Sequence, residues 1–568
     1  MSKEDVTLDV DSDKMVKEPL TLKDGESPSK VQFVNADGKN GEVNIITPPS
    51  PKKAGLSKEE LMKYANDPFW VRLRLALFVL FWIVWISMLV GAIVIIIVAP
   101  KCPPSSKLKW YQKTSAYEID VKSFVNGLLS KFDYFSDLDI ETIVLRSFLG
   151  ERFTEINPKI GTFDEFDKFI EKATQKNKKV ILSFDFRYTS TSHEWFNKSV
   201  NLDSDYIDYY LWKNASTNGK QKNWIRNEAR NNSDSYYYVP DIGGIANQDF
   251  AVLNITNPRV KNEIREVIKF WKSKKVNGFI IENADELIPS ELFEDAQNKN
   301  IEFLQSLRKY IYTKVDVTGK TGFFIDVAND SATNTYVGAP TDKISDLVIS
   351  DFFRKANKTT NGKGVKEIIK NYYDSFSHWP KDSTKYGPWT GCRLSRSDKS
   401  LKSQVGEDHL SIFLMLFYML PNCTHILTAG DEFEIDNIPN WSANETNWST
   451  NVSQAILLKE LTKMRRSNID SLLMGETKYP IDNDDQANSD LFSIARVYPG
   501  FKGLLLIANF GEEKSIKLEN ANYLSGEGEV IIVSEKEKPM PKLGKVDLKA
   551  ELKIGRKQAV MIQYGPIE

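Results

Sequence analysis

The chain is 568 residues long and carries 75 Lys and Arg against 77 Asp and Glu, a formal net charge of −2. That length supports several domains and a large core, and the balanced charge excludes a global pull towards nucleic acid or an anionic lipid surface. Three cysteines are too few for a disulfide-stapled scaffold, and an odd count in an extracellular setting leaves one thiol over for a partner.

Residues 1–70 read as a disordered cytoplasmic tail. "MSKEDVTLDVDSDKMVKEPLTLKDGESPSK" is dense in Lys, Asp, Glu, Ser and Pro and offers too little apolar surface to offset the ordering entropy. It has no basic n-region followed by an apolar h-region, so no cleavable signal peptide is expected. Residues 71–100 then read as a transmembrane helix. From Leu75 to Pro100 there is no charged residue, and ~20 apolar residues suffice to cross the hydrocarbon core. Within it Ser87 and Gly91 form a small-xxx-small pair that lets another helix approach. Trp82 and Trp85 lie nearer the cytoplasmic half than a headgroup belt requires, and face either a helix or lipid. A juxtamembrane linker, 101–109, carries Cys102 followed by a proline pair.

Lys and Arg do not set the direction of the span. Lys58, Lys63, Arg72 and Arg74 precede it, and Lys101, Lys107, Lys109 and Lys113 follow it. Glycosylation sequons do set it. They fall at Asn197, Asn214, Asn231, Asn254, Asn329, Asn357, Asn440, Asn444, Asn447 and Asn451, all after the span. An eleventh, Asn422, sits in "LPNCTHI", which reads as the start of a buried strand and is expected to stay unmodified. The expectation is a type II single-pass protein, its C-terminal domain outside.

Residues 110–465 alternate β-branched runs ("KKVILSFDF", "VNGFIIEN", "TGFFIDVAN", "DLVISDFF", "THILTAGDE") with amphipathic stretches such as "VKNEIREVIKFWKSKK". That alternation predicts a (β/α)8 barrel, with a short excursion at about 197–250. Residues 466–568 hold short strands between turn residues ("LFSIARVYPG", "KGLLLIANFG", "QAVMIQYG") and predict an antiparallel all-β domain. The fold class expected is thus one transmembrane helix plus an α/β ectodomain. His193, His378, His409 and His425 are scattered, so no metal site and no cofactor are expected.

The barrel resembles the α-amylase family of glycoside hydrolases. "WYQKTSAYEIDVKSF" resembles that family's opening strand, "VILSFDFRYTSTSHEWF" its third-strand motif, and "DYIDYYLWKN" a segment of α-glucosidases. "VNGFIIENADEL" resembles V-D-G-F-R-x-D-A-V, and "LPNCTHILTAGDE" resembles L-P-G-T-P-x-I-Y-x-G-D-E. The resemblance implies a retaining hydrolase's carboxylate pair, but the key positions have changed. The family's Asp, Asn and His of the third-strand motif fall on Ser183, Arg187 and Tyr188. The Arg that orients the nucleophile falls on Ile280, and the nucleophile position is Glu282. The general acid position falls at Val327 or Ala328, beside Asp326 and Asn329. The motif after the seventh strand is replaced by "YGPWTGCRLSRSD", and the Gly-rich calcium loop is missing. No catalytic residue is therefore expected; a membrane-anchored glycosidase and a carbohydrate-binding or adhesion receptor are the alternatives.

The whole chain resembles the heavy-chain subunits of heteromeric amino-acid transporters, through "LFWIVWISMLVGAIVIIIVAPKC" at residues 80–102. That resemblance implies an interchain disulfide from Cys102 to a multi-span light chain at the plasma membrane, the light chain carrying the amino acid. A disulfide to a second copy of this chain is the other reading of Cys102. Membrane lipid is the remaining partner. Cys392 and Cys423 are not expected to pair, because the first is read as following the seventh strand and the second as entering the eighth from below.

Overall fold

The computed structural model describes residues 58–98, 108–113, 115–121, 125–214, 222–230, 235–242, 244–339, 342–376, 388–396, 399–433, 453–481, 486–518, 521–534 and 544–566. Cys102, His378 and the sequons at Asn231, Asn440, Asn444, Asn447 and Asn451 lie outside the described residues. So does the tail as far as residue 57. The chain divides into two units, Met1–Lys101 and Cys102–Glu568.

In the first unit a short helix, α1 (Lys58–Ala65), precedes a long one, α2 (Pro68–Val98). The tail expected to be disordered through residue 70 is therefore helical over its last part. Two local signals account for this. "KEELMKYA" is rich in straight-chain helix formers. Asp67 caps the next helix, accepting a hydrogen bond from the Phe69 amide at 3.0 Å, with Pro68 at the first helical position. At 1.5 Å per residue, the 31 residues of α2 span roughly 46 Å, enough to cross a bilayer with tilt. Trp82 and Trp85 meet edge to face with ring centroids 5.4 Å apart. The Ser87 hydroxyl donates to the Val84 carbonyl at 2.8 Å, so its polarity is satisfied within the helix. A Cβ on Gly91 would meet nothing within 4 Å.

In the second unit, eight parallel strands close into a barrel in sequential order. They are β1 (Ala116–Asp120), β2 (Thr142–Arg146), β3 (Lys179–Phe184), β4 (Gly278–Ile281), β5 (Gly322–Asp326), β6 (Leu347–Ser350), β7 (Thr390–Arg393) and β8 (Cys423–Thr428). Amphipathic helices pack outside, including α3 (Phe163–Gln175), α4 (Pro258–Ser273), α5 (Ala296–Tyr310), α6 (Gly362–Asp374) and α7 (Glu407–Met419). Their starts carry readable caps. Thr162 and Glu165 form a capping box for α3, and Asn257 caps α4 with Pro258 in the first turn. The β3 to β4 connection holds the excursion, a three-stranded sheet of Trp212–Asn214, Trp224–Asn227 and Ser235–Tyr238.

Helix α8 (Ser453–Ser467) leads to the C-terminal domain. Its strands are β9 (Glu476–Lys478), β10 (Leu491–Val497), β11 (Gly503–Asn509), β12 (Lys514–Lys517), β13 (Glu527–Val533), β14 (Lys545–Asp547), β15 (Glu551–Ile554) and β16 (Ala559–Tyr564). The main sheet runs β9-β10-β11-β16-β13-β14, and β12 pairs with β15. Alternate residues of β11 serve two cores. Leu504 and Leu506 join the barrel's core, while Leu505 and Ile507 join the domain's own.

The expectation for Cys392 and Cys423 also fails. Cys392 lies inside β7, not beyond it, and Cys423 opens β8 beside it. Parallel register sets Thr390 against Cys423, so the cysteines are near neighbours, with Cα atoms 5.9 Å apart, and they form a disulfide.

Candidate functional site

The barrel interior is built in two layers by the two-residue period of its strands. The lower layer is apolar: Ala116, Val144, Ile181, Ile280, Phe324, Leu347, Ile349 and Ile426 form one buried cluster. Gly322 leaves room for the Phe324 ring; a Cβ there would lie 2.2 Å from it. Two residues further along each strand direction the character reverses. Glu118, Arg146, Ser183, Glu282, Asp326, Asp351, Arg393 and Thr428 stand at the C-terminal end, where barrel enzymes place their chemistry.

These polar groups bond to one another. Arg393 donates to Glu118 at 3.0 Å, to Asp326 at 3.0 Å and to Asp351 at 3.1 Å. Arg396 reaches Asp326 at 2.9 Å and also pairs with Asp351. Arg146 bonds Glu118 at 3.2 Å and pairs with Glu282, whose other oxygen accepts from the Ser183 hydroxyl at 2.6 Å. Four carboxylates thus face three guanidinium groups. Burial raises the pKa of Asp326, but Arg393, Arg396 and Arg146 together outweigh it and hold the carboxyl below its usual range. Burial likewise disfavours charge on Arg393, and Asp326, Glu118 and Asp351 reverse that and raise it. Arg393 has 0% and Asp326 1% side-chain exposure, so the network is sealed from solvent at its centre.

The changed family positions fall around this network. Ser183 and Glu282 belong to it. Ile280 does not; it sits in the apolar layer below and presents no charge to Glu282. Arg187 turns to the rim, gripping Asp185 at 3.0 and 2.8 Å and Glu286 at 2.6 Å. Tyr188 packs edge to face on Phe250, with centroids 5.0 Å apart. Glu282 and Asp326 are engaged by different arginines, the first by Arg146 and the second by Arg393 and Arg396. Among the described residues there is no group of His, Cys, Asp and Glu able to hold a metal ion. Sequence reading missed Arg146, Arg393, Arg396, Glu118 and Asp351. The available signal was an apolar residue followed two positions later by a charged one at strand after strand.

The solute carrier family 3 member 2 N-terminus model matches residues 43–117, and the alpha amylase catalytic domain model matches residues 124–471. The rabbit (Oryctolagus cuniculus) amino acid transporter heavy chain SLC3A2 is 34% identical over 516 residues, covering 84% of this chain and 81% of the relative. The human (Homo sapiens) heavy chain SLC3A1 is 26% identical over 461 residues, covering 69% of this chain and 63% of that relative's length. Among solved structures, trehalose-6-phosphate hydrolase of Bacillus licheniformis aligns with a TM-score of 0.63 at 19% identity, over 80% of this chain and all of that one. Isomaltulose synthase of Protaminobacter rubrum gives 0.65 at 17%, over 81% of this chain and 100% of that one; both share the fold. With an α-amylase catalytic-domain fold and heavy-chain relatives along most of its length, the chain belongs to the amino acid transporter heavy chains.

Proposed function

We propose that this chain is a non-catalytic heavy-chain subunit, a type II single-pass protein of the plasma membrane. Through Cys102 it disulfide-bonds a multi-span light-chain amino-acid transporter, brings it to the surface and stabilises it there. The observation that carries the non-catalytic part is the charge satisfaction of the barrel mouth. A retaining hydrolase needs one ionised carboxylate free to attack and one carboxylic acid holding a proton. Here Glu282 pairs with Arg146 and Ser183, and Asp326 is kept ionised by two arginines. Asp326 is therefore not the proton-carrying acid that Glu282 would need as its partner.

The anchoring part is supported by relatives named as heavy chains and by the match of the family's N-terminal model across residues 43–117, which contain the span and Cys102. With Cys392 bonded to Cys423, Cys102 is the thiol of the three left for another chain. A covalent tether at the membrane edge raises the effective concentration of two adjacent proteins, so modest contacts hold them together. The test is a non-reducing gel of native membranes. A band heavier than the chain alone is expected, releasing a multi-span protein on reduction and absent in Cys102→Ser. A Cys102→Ser chain that keeps the heavy band would sink the assignment. The purified chain is expected not to hydrolyse maltose-type substrates; turnover abolished by Glu282→Gln would overturn the non-catalytic reading.

A further inference from the structure

Six sequons lie among the described residues, and their placement on the barrel is one-sided. Asn197, Asn214 and Asn254 fall in the β3 to β4 connection, Asn329 follows β5 and Asn357 follows β6. All five emerge from the C-terminal ends of strands, the end that carries the charged mouth. The sixth, Asn422, precedes β8 at the opposite end, is buried at 6% exposure and has a backbone φ of 49°. Among the described residues, the sequons with an accessible side chain thus follow strand ends on the mouth side.

Asn329 is the most central. The Ala328 and Asn329 amides donate to the Asp285 carboxylate at 2.7 and 3.1 Å. Next in the chain, Asp330 accepts from the Ser350 hydroxyl at 3.0 Å and the Asp351 amide at 2.9 Å. The segment, which directly follows β5 and the buried Asp326, is thereby fastened to the loop after β4 and to the end of β6. Its side chain is exposed, with Oδ1 accepting from the Ser331 amide at 3.0 Å. Asn357, on the next loop, is also exposed, and its Oδ1 accepts from the Thr359 amide at 2.8 Å. A glycan starting from either residue starts from a fixed point beside the mouth.

We propose that N-linked glycans on Asn329 and Asn357 cover the barrel mouth, so that the former catalytic end is a sugar-shielded face closed to carbohydrate substrates and to protein partners. The inference rests on the extracellular placement of this domain in the function proposed above. The modifying step joins the Asn Nδ2 to C1 of an oligosaccharide carried on a lipid pyrophosphate. The C1–O bond to the donor phosphate breaks, the lipid pyrophosphate leaves, and Nδ2 gives up one proton. On folding, the bulky, hydrated sugar stands over the Arg187–Glu286 rim.

The full chain made in a glycosylating eukaryotic host tests this. Enzymatic release of N-glycans in ¹⁸O-water, followed by peptide mass mapping, is expected to mark Asn329 and Asn357 and to leave Asn422 unmarked. Sugar on Asn197, Asn214 or Asn254 with none on Asn329 and Asn357 overturns the inference while leaving the extracellular placement standing. No sugar on any sequon overturns both. Shielding is read separately with Glu286→Cys, whose parent side chain is 53% exposed at the rim. Labelling by a polyethylene-glycol maleimide, above that of the unsubstituted chain, is expected to be several-fold faster after deglycosylation. Ser331→Ala and Thr359→Ala remove the two sequons while keeping both Asn residues as turn caps, and each is expected to speed labelling. Equal rates with and without sugar would end the idea of a cover.

Discussion

The two layers inside the barrel are 2 residues apart on the same strands and follow opposite rules. In the lower layer, stability comes from removing apolar side chains from water and filling space. In the upper layer, burial works against every group, and only mutual pairing makes it tolerable. Ile280 and Glu282 belong to one strand and its exit, yet the first is held by packing and the second by Arg146 and Ser183. The contrast shows how so many charged side chains are tolerated at the buried C-terminal end of the barrel. Its charged residues have become each other's ligands.

The sharpest way to break the contrast is to remove the central cation. Arg393→Met is expected to lower unfolding free energy by about 3–5 kcal/mol, because Glu118, Asp326 and Asp351 all lose a buried partner. Chemical unfolding of the detergent-solubilised chain measures it. A loss below about 1 kcal/mol, the level of an exposed ion pair, would mean that water reaches the network.

A second prediction compares two buried acids at the same barrel end. Asp326 is surrounded by arginines and stays ionised. Among the described residues Asp431, just past β8, accepts from the Ser395 hydroxyl and the Leu401 amide and has no ion pair. Burial pushes its carboxyl up to about 7, with a smaller push from Glu432. Between the unfolded value of about 4 and 7, the folded chain therefore holds a proton that the unfolded chain has released. The Asp431 contribution is fully present below pH about 4 and is lost as pH rises to about 7, with a slope approaching 1.4 kcal/mol per pH unit. Asp431→Asn cannot ionise, so the stability of wild type minus variant should fall over that window and level off above it. Parallel pH profiles for the two proteins would show that the acid titrates normally.

Much of this fold was legible because five of the barrel strands, β3 to β6 and β8, are compact apolar runs between helical stretches, and these read correctly as barrel strands. The disulfide was misread because strand ends are poorly fixed by sequence; ending β7 before Cys392 moved one thiol to the wrong side. The charged layer was missed for another reason. Arg393 finds Glu118 across 275 residues, and nothing near either residue announces the other. The resemblance to the enzyme family bears only on the residues at catalytic positions. The arginines that neutralise them come from other strand ends.

The smallest predicted effect tests whether the lower layer is ordinary packing. Ile280 belongs to the buried apolar cluster of the lower layer. Ile280→Val removes one methylene from a residue 1% exposed among Ile181, Phe324 and Ile349. If packing governs the site, unfolding measurements should show a loss of about 0.5–1.5 kcal/mol, the range for this substitution in a filled core. The charged layer should not register the change, because Glu282 takes its hydrogen bonds from Arg146 and Ser183 and none from position 280. Combined with Arg393→Met, the two losses should therefore add within about 0.5 kcal/mol. A larger coupling would mean that the layers share one packing arrangement, and that the apolar residue at position 280 was selected together with the arginines above it.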